Sequence, residues 1–274
     1  MKSLFCCPLC GAALTRDEKT YLCPGGHAYD RAKEGYVHLL PPNHIHSKAP
    51  GDDKDMAAAR NRFLSAGGYD HLRDLLCTLA LAYTGQNPRV LDSGCGEGYY
   101  TAGIAAALTQ AGRDPMVAGV DLSKPSLRYA AKRTKDAEFA VASVYRLPVA
   151  DGSADLLVNC FSPLALEEFQ RVLRPGGVFL YVVPAANHLL ELKQVLYEKP
   201  YPNPEEDSPY PDFTYAEICA TEGQMDLPGG LAQDLFCMTP YYWKTPKEGK
   251  ERLVALDHLS VRGSFRVHVF RKND

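Results

Sequence analysis

The sequence predicts an α/β fold in two unequal parts: a doubly wound, Rossmann-like sheet over most of the chain, and a small metal-clipped ribbon ahead of it. Three observations predict it. An apolar strand at Val90 runs into a glycine turn spaced Asp92-x-Gly94-x-Gly96-x-Gly98, and a helix begins at about Tyr99. Apolar strands and turns then alternate in order as far as Val183. Four cysteines crowd the first 23 residues, and His27 follows them.

The ribbon comes first. Cys7-Pro-Leu-Cys10-Gly11 and Cys23-Pro-Gly-Gly-His27 give the spacing C-x2-C-x12-C-x3-H. Three thiolates and one imidazole suit tetrahedral zinc. Four protein ligands leave no open coordination position, which marks a structural ion rather than a catalytic one. Cys6 competes with Cys7, but the two-residue spacing of the knuckle selects Cys7. The intervening residues 13–22 read as a hairpin that brings both ligand pairs together. So small a module builds little core, and metal binding supplies its folding energy.

Tyr29 to Leu40 interleaves aromatic and basic residues. Two uses fit: stacking on single-stranded nucleic acid, or packing of Tyr36, Val37, Leu39 and Leu40 against a neighbouring domain. Residues 41–55 are polar and proline-bearing and read as a linker. A helix follows from Met56 to Ala66, Gly67-Gly68 breaks it, and a second runs from about Tyr69 to Tyr83. The expected division is therefore 1–40, 41–68 (linker and connecting helix) and 69–274.

In the large part, the glycines after Asp92 allow a tight turn and close approach to a ligand, because there is no Cβ to clash. Val117 to Ser123 is a second strand with Asp121 at its tip, where an acid meets the ribose hydroxyls of a nucleoside. The gap from Asp92 to Asp121 exceeds the ~20 residues usual for such units, and a loop at 112–115 absorbs the excess. A third strand covers Phe139 to Ser143. Leu156 to Cys160 reads as a buried central strand. Leu-Arg-Pro-Gly-Gly, ending at Gly177, turns into a strand over Val178 to Val183.

Composition sets bounds. The 274 residues suit one to two domains, and no run approaches eighteen uninterrupted apolar residues, so no membrane span is expected. The N-terminus lacks the apolar run of a signal peptide. Nine cysteines, odd in number and mostly scattered, favour a reducing cytoplasm with a local metal site. A net charge of −3 does not announce nucleic-acid binding, although Lys and Arg outnumber Asp and Glu by eight to four over residues 244–274.

The glycine run resembles motif I of class I S-adenosylmethionine-dependent methyltransferases, and the Leu-Arg-Pro-Gly-Gly turn is a companion mark of that fold. Asp92, Gly94, Asp121 and Leu122 are the cofactor contacts that the general fold implies. Longer stretches go further. CPLC…CPGGH, AKEGYVHLLP, PGDDKDMAAARNRFLSAGGY, LDSGCGEGYYT and HLLELK together resemble the RlmA family of 23S rRNA (guanine-N1)-methyltransferases over nearly the whole chain. That resemblance implies a zinc domain for RNA recognition, a hairpin of 23S rRNA as substrate, and a homodimer. It also implies cofactor contacts at Tyr69, Gly96, Glu97 and His188.

Guanine N1 lies on the Watson–Crick edge, so the substrate offers an unpaired or flipped base. Where many methyltransferases carry an acid near the adenine, this chain has Ala142-Ser143. Asn159-Cys-Phe-Ser-Pro163 replaces the Asn/Asp-Pro-Pro-aromatic motif of amino-group enzymes, so Asn159 either lines the transfer site or caps its strand. No residue marks a general base. None separates the two family subclasses, which modify neighbouring guanines and of which one is tied to macrolide resistance. The alternative is a methyltransferase acting on a small molecule such as a quinone or natural product, against which the zinc clip argues.

Overall fold

The computed structural model describes residues 2–41, 51–207 and 209–274; most of the expected linker lies outside them. Four short strands form the ribbon: β1 (Lys2–Cys6), β2 (Ala13–Arg16), β3 (Thr20–Leu22) and β4 (Ala28–Asp30), antiparallel in that order. β2 and β3 are the expected hairpin. Asp17 closes its turn, its Oδ1 accepting from the amides of Lys19 and Thr20 at 2.8 and 2.7 Å, an Asx turn.

The chain then leaves the ribbon. β5 (Val37–His38) joins a second sheet, to which the rest of the chain contributes alternating helices and strands. These are α1 (Lys54–Ser65), α2 (Asp70–Tyr83), β6 (Arg89–Ser93), α3 (Tyr99–Gln110), β7 (Met116–Asp121), α4 (Lys124–Arg133), β8 (Ala137–Val141) and β9 (Ala154–Cys160). After them come α5 (Leu166–Val172), β10 (Leu173–Pro184), α6 (Leu190–Leu196), β11 (Phe213–Pro228), α7 (Gly229–Cys237), α8 (Tyr241–Lys244), α9 (Lys247–Val254) and β12 (His258–Lys272).

The sheet order is β11-β12-β10-β9-β6-β7-β8-β5. β5 to β10 run parallel, and β12 is antiparallel to both its neighbours. Helices cover both faces, so the inner strands are apolar throughout rather than alternating; Leu156, Leu157 and Val158 of β9 are fully buried. The strand order reverses between β6 and β9, and the crevice at their carboxyl ends is where such sheets take ligands.

Two sequence expectations change in detail. Leu-Arg-Pro-Gly-Gly is not a separate turn: it is a bulge within β10, whose register against β9 shifts between Leu173 and Val178. Gly177 is needed there, because a Cβ would stand 2.8 Å from the carbonyl oxygen of Arg174. The second change concerns the module boundary. β5 pairs with β8 inside the large sheet, so the chain enters that sheet before residue 40. Of the two uses weighed for Tyr29 to Leu40, packing holds for its second half. Strand alternation sends Tyr36 and Leu40 into the core on one face of the sheet and Val37 and Leu39 into the core on the other.

The ribbon is thus fixed to the sheet. Phe5, Leu14 and Tyr21 share one apolar cluster with Leu91, Val120 and Ala140. The Tyr21 hydroxyl and the Ser3 hydroxyl each donate to Glu138 at 2.8 Å, and the Cys6 amide donates to the Pro148 carbonyl at 2.7 Å. The connecting helix is built in as well: α1, capped by Asp53, packs against α4 and α7 and faces the crevice.

Candidate active site and metal centre

At the metal centre, the ligand atoms of Cys7, Cys10, Cys23 and His27 all lie within 4.8 Å of one another. Cys7 Sγ is 3.4 Å from His27 Nδ1, and Cys10 Sγ is 3.3 Å from Cys23 Sγ. Bonds of about 2.0–2.3 Å to a tetrahedral zinc put the edges of the tetrahedron at roughly 3.5–3.8 Å, so the four donors fit that ion. Cys6 stands outside the group, as the spacing argued. The Gly25 amide donates to Cys23 Sγ at 3.3 Å, and the Tyr29 hydroxyl is 3.0 Å from Cys7 Sγ. Such contacts favour the charged form of the ligands.

The glycine loop takes the form its residues require. Gly94, Gly96 and Gly98 all have positive φ, at 82°, 53° and 76°. The amides of Gly94 and Cys95 donate to the Val120 carbonyl, and the Gly96 amide donates to Asp121 Oδ2 at 2.9 Å. Asp121 Oδ1 accepts from the Ser123 amide at 2.7 Å. The acid at the second strand tip therefore shapes the loop.

Two adjoining cavities open over the strand ends. The inner one is lined by Asp92, Gly94, Gly96 and Glu97. The outer one, about 650 Å³, is lined by Tyr69, His188, Tyr241 and Trp243 among others. Arg60, Phe161 and Met238 line both and mark where they meet. Six of the eight residues expected to contact the cofactor thus stand on these two cavities. Asp121 and Leu122 do not line either; they sit at the tip of β7 beside the loop.

Burial dominates the electrostatics. Asp92 is 2% exposed; its Oδ2 accepts from the Thr101 hydroxyl at 2.5 Å, and its Oδ1 has no partner among the described residues. Desolvation pushes its carboxyl up to about 7. Glu97 is also pushed up to about 7 by burial, against the pull of the Arg133 guanidinium at 3.3 Å. Burial holds His188 down to about 3. Its Nδ1 accepts from the Ser264 amide at 3.2 Å, which leaves the ring proton on Nε2 of a neutral imidazole. The Tyr69 ring is wedged between Phe63 and Phe265, with centroids at 5.0 and 4.8 Å, and lies 6.0 Å from His188.

For Asn159 the capping role holds. It is fully buried, lines neither cavity, and its Nδ2 donates to Ser162 Oγ at 2.7 Å and to the Pro163 carbonyl at 3.1 Å. That turn carries Phe161 to the junction of the cavities instead. Phe161 and Leu189 are the non-glycine residues with positive φ among the described residues, at 58° and 54°. Sequence reasoning missed Arg60, Phe161 and the 238–243 wall. Phe161 lay inside a motif already singled out, so a signal for it existed.

Asp92 lines the inner cavity, and its buried Oδ1 has no partner among the described residues, which suits a ligand ammonium group. The glycine loop, this acid and the strand order with β12 reversed define a class I S-adenosylmethionine-dependent methyltransferase that carries a zinc ribbon. Family models described as "RlmA, N-terminal" and "Methyltransferase domain" match residues 5–48 and 90–177.

Two relatives bear the name "Putative 23S rRNA (guanine-N(1)-)-methyltransferase". One, from Micromonospora griseorubida, is 38% identical over 68% of this chain and 67% of its own length. The other, from Bacillus subtilis, is 32% identical over 90% of this chain and 89% of its own. A third, "23S rRNA (guanine(748)-N(1))-methyltransferase" from Streptomyces fradiae, is 38% identical over 69% and 66%. The chain belongs to the RlmA family of 23S rRNA (guanine-N1)-methyltransferases.

Proposed function

We propose that this protein transfers the methyl group of S-adenosylmethionine to N1 of a guanine in a hairpin of 23S rRNA. The observation that carries the reading is the RlmA-type ribbon fixed to the same sheet that holds the cofactor crevice. A small-molecule acceptor gives no use for such a module. Incubation with labelled S-adenosylmethionine and unmodified 23S rRNA, followed by primer extension, tests it. A stop at one guanine is expected. Cofactor binding without any transfer to that RNA would move the acceptor elsewhere.

Bound S-adenosylmethionine supplies an already activated methyl group, so the chain's work is to orient the acceptor and exclude water. We assign cofactor contacts to Tyr69, Asp92, Gly94, Gly96, Glu97 and His188, with Asp121 and Leu122 on the ribose side. Neutral His188 offers a donor rather than a charge. Asp92 Oδ1 accepts from the cofactor's ammonium group, which favours the ionised acid.

A pH dependence follows. With its folded pKa raised to about 7 from 3.8, Asp92 favours the cofactor-free fold most below about pH 4 and loses that contribution as pH rises through 7. Cofactor binding needs the ionised acid and the cofactor's ammonium together, so affinity should rise with pH up to about 7 and fall again above about 8, where the cofactor's own amine loses its proton. Calorimetry across pH 5.5–8.5 checks this, and Asp92→Asn should flatten the profile; an unchanged slope in that variant would remove the assignment.

Phe161 holds a left-handed backbone that costs about 1–2 kcal/mol, yet its ring is 44% exposed at the cavity junction. We read the ring as a stacking platform for the acceptor base, worth about 1–3 kcal/mol per base. Phe161→Ala should lower kcat/KM for rRNA about 10- to 100-fold and leave S-adenosylmethionine affinity nearly unchanged. A matching loss of cofactor affinity would place the ring on the cofactor instead.

We further propose a cytoplasmic homodimer. Thiolate ligands and an rRNA substrate suit a reducing compartment, and pairing two copies would bring their basic C-terminal segments to one RNA. Light scattering of the purified protein reads the oligomeric state directly.

A further inference from the structure

Arg60 reaches from α1 to the junction of the two cavities and lines both. Its Nη2 forms a 2.8 Å ion pair with Asp52 and lies 3.4 Å from the Met238 carbonyl oxygen. Its Nε is buried without a partner among the described residues. Its Cδ would stand 3.9 Å from a Cβ on Gly96, so the side chain passes directly over the glycine loop.

The acids nearby are unevenly engaged. Glu97 is paired with Arg133, and Asp121 takes two loop amides. Among the described residues nothing engages Asp92 Oδ1. Among the described residues, the inner cavity is therefore lined by a cation with a partnerless donor and by an acid with a partnerless acceptor. A ligand with an ammonium and a carboxylate on one carbon complements both. An arginine fork suits a carboxylate because two parallel N–H groups meet its two oxygens.

We propose that Arg60 anchors the α-carboxylate of bound S-adenosylmethionine, and that Asp52 stands in the place of that carboxylate until the cofactor arrives. The exchange needs only a side chain to turn. The backbone of Asp52 stays pinned, because the Ser123 hydroxyl donates to its carbonyl at 2.7 Å. The assignment rests on the cofactor proposed above and is independent of the RNA.

The test is calorimetry on the full-length, zinc-loaded protein with two titrants. One is S-adenosylmethionine; the other is its decarboxylated analogue, which keeps the sulfonium and the amine. The wild type should prefer the carboxylated ligand. Arg60→Met should weaken S-adenosylmethionine about 10- to 100-fold and leave the analogue unchanged, erasing the preference. Asp52→Asn should tighten S-adenosylmethionine alone, since it removes the internal competitor, and this arm stands even if Arg60→Met fails to fold.

Equal wild-type affinity for the two ligands overturns the anchor. So does a loss in Arg60→Met that is the same for both. Unchanged or weaker S-adenosylmethionine binding in Asp52→Asn overturns the exchange. Failure of the wild type to bind S-adenosylmethionine at all would instead remove the cofactor reading, and the anchor with it.

Discussion

Replacing Cys10 by serine is expected to abolish rRNA methylation, by about 100-fold or more in kcat/KM, while S-adenosylmethionine affinity stays within about threefold of wild type. Structural zinc supplies about 10–16 kcal/mol to small modules of this kind, far more than the ribbon's short strands contribute alone. Cys10 is the exposed ligand of the cluster and lines neither cavity. Its loss should therefore act on the ribbon and spare the crevice.

The contacts that fix the ribbon to the sheet run through Ser3, Cys6, Tyr21 and β5 rather than through Cys10. Metal content by atomic absorption, cofactor binding by calorimetry and methylation of unmodified 23S rRNA separate the effects. Full methylation by a zinc-free variant would end the recognition role of the ribbon.

Gly96→Val should fold and fail to bind cofactor. At φ 53° a valine costs about 1–2 kcal/mol in backbone strain, a loss of a few degrees in melting temperature. Sterically it is tolerated, since Arg60 Cδ at 3.9 Å is the nearest atom a Cβ would meet. The room is the inner cavity itself, and the two methyl groups would fill it. S-adenosylmethionine affinity should fall by about 100-fold or more, as for a site whose contacts are blocked outright.

Gly94→Val makes the informative contrast. Its Cβ would stand 2.2 Å from Ser162 Cβ, so that variant should lose folding rather than binding alone. Wild-type cofactor affinity in Gly96→Val would detach the loop from the cofactor site.

Much of this was legible in the sequence because the signals were local. Zinc spacing, the glycine turn and the acid at each strand tip are set by a few neighbouring residues, and the structure brings the four zinc donors together. Features that depend on distant partners were not legible. Nothing in the helix containing Arg60 tells which side chain crosses to a loop 36 residues later.

The 238–243 wall depends on how α7 packs on α1. β5 has only two residues, too few for a period to show, and it finds its partner strand about a hundred positions on. Asn159 gave an open choice because a strand-end asparagine can face a cavity or fold back on its own turn, and local sequence does not decide between them.

The order in which the chain emerges during synthesis gives the docked ribbon a kinetic consequence. The metal knuckles are complete once residue 27 is free, and their loop is short enough to close at once. Their seat on the sheet needs Glu138 and Pro148, more than a hundred residues later. At roughly 5–20 residues per second, the ribbon waits about 5–20 s with its apolar side uncovered. Zinc capture should therefore precede docking in the newborn chain, and in refolding the metal-bound, undocked ribbon is the species to look for first.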